Sequence, residues 1–105
     1  MKETTVIVVR HAETAWNRER RMQGTTDTKL SDIGHAQAEA LARRLATETF
    51  SVLYSSDLSR AHDTARKIAR HGQRTLQLDQ RLRERAFGVF EGLTADEIQI
   101  GRAHV

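Results

Sequence analysis

Thr5-Val6-Ile7-Val8-Val9-Arg10-His11-Ala12-Glu13-Thr14 is the stretch on which the reading of the fold turns. Its first five residues are all β-branched and show no alternation, the pattern of a strand buried on both faces of a sheet. The run then passes straight into an arginine and a histidine. In open α/β sheets ligands sit at the carboxyl ends of the strands, so Arg10 and His11 lie where chemistry is expected. Position alone favours the plainer reading, in which His11, like Arg60 further on, is an ordinary surface residue at the end of a strand or helix.

Downstream, 10–29 is polar, carries Gly24 and reads as a long functional loop with a helical turn near 15–21. Ser31 can cap a helix reaching Thr47, built from Ala, Leu, Glu and Arg, with Leu41 and Leu45 sharing its buried face. Ser51-Val52-Leu53-Tyr54 is a second strand candidate. Asp57 can cap a second helix whose Leu58, Ala61, Ala65 and Ile68 form one stripe, and Gly72 ends it behind Arg70 and His71. Thr75-Leu76-Gln77-Leu78 is a third strand, followed by a turn-rich segment through Gly88 and a short helix start at 94–97. The order β-α-β-α-β with helical crossovers argues for an α/β fold with a largely parallel sheet. The second strand runs into Ser55-Ser56-Asp57, with Arg60 in the first turn of the next helix. A helix N-terminus favours an anion and an arginine beside it strengthens that preference, so two arginines and a histidine can meet one phosphate.

Composition bounds the alternatives. The chain has 105 residues, 38% of them hydrophobic and 30% charged, as expected of one globular domain. No apolar run approaches the ~20 residues of a membrane span, and the signal-peptide pattern is absent, so no membrane partner is expected. There are no cysteines, which fits a reducing, cytoplasmic setting. Seventeen basic residues, mostly arginine, are interleaved with acids, and the aromatics number five. That is no nucleic-acid platform. His, Asp and Glu do not cluster at metal-ligand spacing, so neither metal nor cofactor is expected.

Arg10-His11-Ala12-Glu13-Thr14-Ala15-Trp16-Asn17 closely resembles the signature of the histidine phosphatase superfamily, the phosphoglycerate mutase-like enzymes. The family has glycine where this chain has Ala12, a departure that is tolerable if the backbone there is not at positive φ. Further matches follow in order: Arg21-Met22-Gln23-Gly24, then 27–30, then Gly34 with Gln37-Ala38. Tyr54-Ser55-Ser56-Asp57-Leu58-Ser59-Arg60-Ala61 with Thr64-Ala65 match the second block. Leu82-Arg83-Glu84, Phe87-Gly88 and Glu91-Gly92-Leu93-Thr94 match the third. The resemblance implies a three-layer α/β/α fold, truncated here.

It also implies roles. His11 is the nucleophile, its neutral imidazole attacking phosphorus while the other ring nitrogen is held as a donor, for instance by a backbone carbonyl. Arg10 and Arg60 bind the phosphoryl oxygens, and Asn17 adds a neutral donor. Glu84 is the general acid, for which burial should raise its pKa. Thr14, Gln23 and Gly24 line the substrate side. Glu13, beside a bound phosphate, is assigned to loop support. The implied partner is a small phosphorylated metabolite; oligomeric state is open, a homodimer being one alternative.

Within the family, an acidic residue before the Gly92-Leu93 pair points to hydrolysis of small phosphomonoesters. A cofactor-dependent phosphoglycerate mutase is the alternative, and a non-catalytic regulatory or scaffold member a third. The family's second active-site histidine, followed by glycine, has no counterpart here, since His104 is followed by Val105. The final Ile100-Gly101-Arg102-Ala103-His104-Val105 reads as translated adapter sequence. The expected division is therefore 1–99 as the N-terminal half of the domain and 100–105 as a non-native tail.

Overall fold

Ser31 opens the first long helix by accepting the backbone N–H of Gly34 on its side chain, as its residue type predicts. The computed structural model describes residues 6–50, 52–72, 74–84, 86 and 88–97. The sequence's candidate tail at 100–105 and Phe87 of the third block fall outside these.

The elements in chain order are α1 (Ala15–Arg18), α2 (Asp32–Leu45), β1 (Val52–Ser55), α3 (Ser59–Gly72) and β2 (Thr75–Leu78). Short 3₁₀ helices follow at Gln80–Leu82 and Gly88–Phe90. β1 and β2 pair in parallel, Val52 opposite Thr75 through Ser55 opposite Leu78, with α3 as the crossover. This is the expected parallel α/β arrangement.

Packing follows the apolar stripes. α2 lies on α3, and α3 lies on β1 and β2. Ala42, Leu45 and Ile68 form one buried cluster, flanked by Leu41, Phe50 and Leu53. The small, fully buried Ala38 and Ala42 let α2 approach closely. A second cluster of Ala12, Leu30 and Ala38 holds the signature loop against the same helix. On the far face of the sheet Val52 and Tyr54 remain exposed, so the described residues supply no helical layer there.

Two sequence expectations are corrected. The run 6–9 is not a buried strand: it makes no ladder, and Val8 is 89% exposed. A strand needs a neighbour about 4.8 Å away. Between this run and β1 lies instead a cavity of about 700 Å³, lined by Val6 to Val9, Leu45, Phe50, β1 and the inner stripe of α3. Nor does Asp57 cap α3. Leu58 provides the capping backbone, its carbonyl accepting from Ala61 and His62. The exposed N–H of Ser59 is taken by Asp27, thirty-two residues earlier in the chain, at 2.6 Å.

Candidate active site

Local chemistry fixes the loop that carries His11. Thr14 caps α1 in a reciprocal capping box with Asn17: Asn17 N–H donates to the Thr14 hydroxyl, and Thr14 N–H to the Asn17 side-chain oxygen. The Thr14 hydroxyl, fully buried, donates to Gln23 Oε1 at 2.6 Å. The Thr28 hydroxyl donates to the same oxygen. Glu13 accepts from Arg18 and Ser31, which hold its carboxyl below the usual range, and its N–H donates to Gln37. Glu13 thus supports the loop. The backbone N–H of Ala12 donates to Thr64 Oγ1 at 3.0 Å, and Thr64 donates to the Arg60 carbonyl. Among the described residues other than glycine, Arg20 has a positive φ and Ala12 does not. A methyl group in place of the family's glycine hydrogen therefore adds no backbone strain.

His11 sits at the centre, its side chain 11% exposed. Its Nδ1 lies 2.7 Å from the carbonyl of Ala12. A carbonyl only accepts, so Nδ1 carries a proton, and in the neutral ring Nε2 holds a free lone pair. Nε2 points at Glu84, whose Oε1 is 3.4 Å away.

Arg60 enters from α3 and is 1% exposed. Its Nη1 donates to the Thr26 carbonyl and the Thr28 hydroxyl, and its Nη2 to the Gly24 carbonyl at 2.5 Å. Gly24 adopts a φ of +55°, which turns that carbonyl inward at no Cβ penalty. Three of the five guanidinium donors are thereby taken, which leaves Nε–H and one Nη2–H, two neighbouring donors. Nη2 also lies 3.7 Å from Glu84 Oε1. A carboxylate oxygen thus stands between the free nitrogen of His11 and the guanidinium of Arg60, and it marks an anion position.

Arg10 lines the same cleft and is exposed, without a hydrogen bond among the described residues. The sequence-predicted residues divide by location. His11, Arg60 and Glu84 meet and Arg10 lines the same cavity, whereas Thr14 and Gln23 are buried under the loop and bonded to each other, and Gly24 meets Arg60 through its carbonyl. Asn17 spends its side-chain oxygen on the capping box. The expected burial of Glu84 is not found, because its side chain is 46% exposed on the open side of the cleft. Sequence reasoning assigned no role to Thr64 or Asp27. Their work is long-range hydrogen bonding, which leaves no local periodicity to read. Groups of three or more metal-ligating side chains do not occur among the described residues.

An arginine-flanked histidine with one free ring nitrogen, on a parallel α/β scaffold, is chemically suited to take up a phosphoryl group. The comparisons agree. The model of the histidine phosphatase superfamily (branch 1) matches residues 6–104, and the chain belongs to that family. It is 47% identical over 94 residues to phosphoglycerate mutase-like protein 4 of Arabidopsis thaliana, covering 88% of this chain and 41% of that one. It is 40% identical over 98 residues to glucosyl-3-phosphoglycerate phosphatase of Mycobacterium tuberculosis, covering 93% and 44%. A solved mycobacterial glucosyl-3-phosphoglycerate phosphatase superposes with a TM-score of 0.83 at 41% identity, over 87% of this chain and 44% of that one. Phosphoserine phosphatase of Entamoeba histolytica, bound to 3-phosphoglyceric acid, superposes with a TM-score of 0.77 at 38% identity, over 85% and 44%. The chain spans less than half the length of these relatives.

Proposed function

We propose that this chain carries the phosphoryl-transfer centre of a phosphatase that hydrolyses a small phosphomonoester through a phosphohistidine. The observation that carries the reading is the polarity of His11: Nδ1–H is spent on the Ala12 carbonyl, so Nε2 faces the anion position beside Arg60 as a nucleophile. In the first step Glu84 acts in its carboxylic acid form: the Nε2 lone pair attacks phosphorus, the P–O bond to the alcohol breaks, and the acid proton passes to the leaving oxygen. In the second, water attacks phosphorus, Glu84 accepts its proton, and the P–N bond breaks with its pair returning to Nε2. Arg60 and Arg10 stabilise the charge on the equatorial oxygens through both steps. Glu84 must first swing away from Nε2 to admit the phosphoryl group, and its exposure permits that. Thr14, Gln23, Gly24 and Asn17 hold the loop so that His11 and Arg60 keep their spacing, and the amide nitrogen of Asn17 is left for a phosphoryl oxygen.

The similarity to glucosyl-3-phosphoglycerate and phosphoserine phosphatases supports a small phosphorylated metabolite as substrate. The lack of cysteine supports a cytoplasmic setting. The name of the Arabidopsis relative favours a second reading, transfer between positions of a phosphoglycerate. Incubating the protein expressed from its complete reading frame with 3-phosphoglycerate separates the two. Phosphate release without 2-phosphoglycerate supports hydrolysis; 2-phosphoglycerate would establish the mutase. His11→Ala should abolish turnover and the acid-labile phosphoprotein, and undiminished activity would remove the mechanism altogether.

A further inference from the structure

Glu84 stands on irregular chain. The 3₁₀ helix Gln80–Leu82 closes two residues before it, and the polar partners of the Glu84 carboxyl group among the described residues are His11 Nε2 at 3.4 Å and Arg60 Nη2 at 3.7 Å. Neither contact is a hydrogen bond, so the carboxyl group is placed by the segment behind it. That segment is tied at both ends to the turn that joins β1 to α3. At one end Asp79 N–H donates to the Ser55 carbonyl at 2.8 Å. At the other the guanidinium of Arg83 forks the Asp57 carboxylate, Nε to Oδ1 at 2.7 Å and Nη2 to Oδ2 at 2.6 Å. Asp57 lies on that turn, three residues before Arg60 of α3.

We propose that Asp57 is a positioning residue for Glu84, acting through the bidentate bond it accepts from Arg83, the neighbour of the acid. Two physical points carry this. The fork fixes two atoms of each partner, so it sets the direction of the chain at Arg83 and not merely its distance. Arg83 is extended, at φ −63° and ψ 151°, so consecutive side chains diverge: Arg83 reaches Asp57 while Glu84 is delivered to the cleft. Both members of the pair are about one-third exposed, where ion pairs add little to stability, so the role that remains for the geometry is placement. The inference rests on the reading of Glu84 as general acid.

The test uses the protein expressed from its complete reading frame and two substrates that differ in leaving group. An alkyl phosphomonoester needs a proton on its departing oxygen; dinitrophenyl phosphate hardly does. Asp57→Asn should lower kcat/KM, which reports transfer of the phosphoryl group to His11 and not its later hydrolysis, by about tenfold or more on the alkyl ester and little on dinitrophenyl phosphate. Arg83→Met should do the same, and the double variant should be no worse than either alone. An Arg83→Lys variant, which keeps the charge but loses the fork, should recover only part of the loss. Equal losses on both substrates, additive losses, or no loss would overturn the proposal. Glu84→Gln, measured in parallel, keeps the two claims apart. If it is selective for the alkyl ester while Asp57→Asn and Arg83→Met are not, the positioning role is refuted and the acid stands. If Glu84→Gln is itself unselective, the acid reading falls and the positioning role falls with it.

Discussion

Oε1 of Glu84 stands 3.4 Å from Nε2 of His11, in the place a phosphoryl group must occupy to meet that nitrogen. The same oxygen lies 3.7 Å from Arg60, so one acidic side chain fills an anion position and is displaced when a substrate anion arrives. Glu84→Gln removes its proton-transfer capacity at nearly constant shape. We expect kcat on an alkyl phosphomonoester to fall by about 10²–10⁴-fold, measured as phosphate release at saturating substrate. Inorganic phosphate should bind the variant no more weakly than the parent, because the amide carries no negative charge to compete with it. Weaker phosphate binding would show that Glu84 does not occupy the anion position.

The second prediction concerns the bond behind His11. Thr64 Oγ1 accepts the backbone N–H of Ala12 at 3.0 Å in a site where both residues are buried. Thr64→Val keeps the shape and removes the acceptor, which leaves a buried N–H unpaired at about 1–3 kcal/mol. A lower Tm should therefore accompany a lower kcat, and Thr64→Ser should restore both. A valine variant with the parent's Tm would mean that this hydrogen bond does not hold the loop.

Gly34 meets the same loop from α2. A Cβ built there would lie 1.9 Å from the carbonyl oxygen of Glu13, a backbone atom that cannot turn aside. Gly34→Ala is therefore expected to force α2 and the signature loop apart, at about 1–3 kcal/mol. This contrasts with the usual helix-stabilising effect of that exchange. Thermal unfolding distinguishes the two signs directly.

Acid stability should follow the arginine-held carboxylates. The hydrogen bond from the Arg81 side chain lowers Asp79 to about 2, and that from Arg83 lowers Asp57, both from 3.8. A carboxyl group depressed in the folded state contributes stability that is fully present above its unfolded value. That contribution is lost as pH falls through the folded value. Tm should thus lose these contributions only below about pH 4, continuing toward pH 2 for Asp79. Asp79→Asn should flatten that limb; a limb as steep as the parent's would contradict the assignment. Both groups are partly exposed and screened by solvent, so the change is small.

Much of the fold was legible beforehand. Ser31 is a helix cap by residue type, β2 occupies the expected 75–78, and of the stripe Leu58, Ala61, Ala65 and Ile68 all but the half-buried Ala61 are buried, because each depends on neighbours a few residues away. The reading failed where local preference met no partner. The β-branched run at 6–9 has every intrinsic mark of a strand, but a ladder is a relation between two segments, and here a cavity lies beside it. Asp57 has the right chemistry for a cap, and Arg83 claims its carboxylate instead.

The sequence by itself determined the family, through the ordered blocks around Arg10-His11, Arg60 and Glu84, and it determined which residue types were present for phosphoryl chemistry. Tertiary structure alone decided their state. It committed three donors of Arg60 to the 24–28 loop. It also left Glu84 exposed rather than buried. The physical reason is that donor availability and exposure depend on which groups come into contact, here residues as far apart in the chain as His11 and Glu84, a separation that no local spacing encodes.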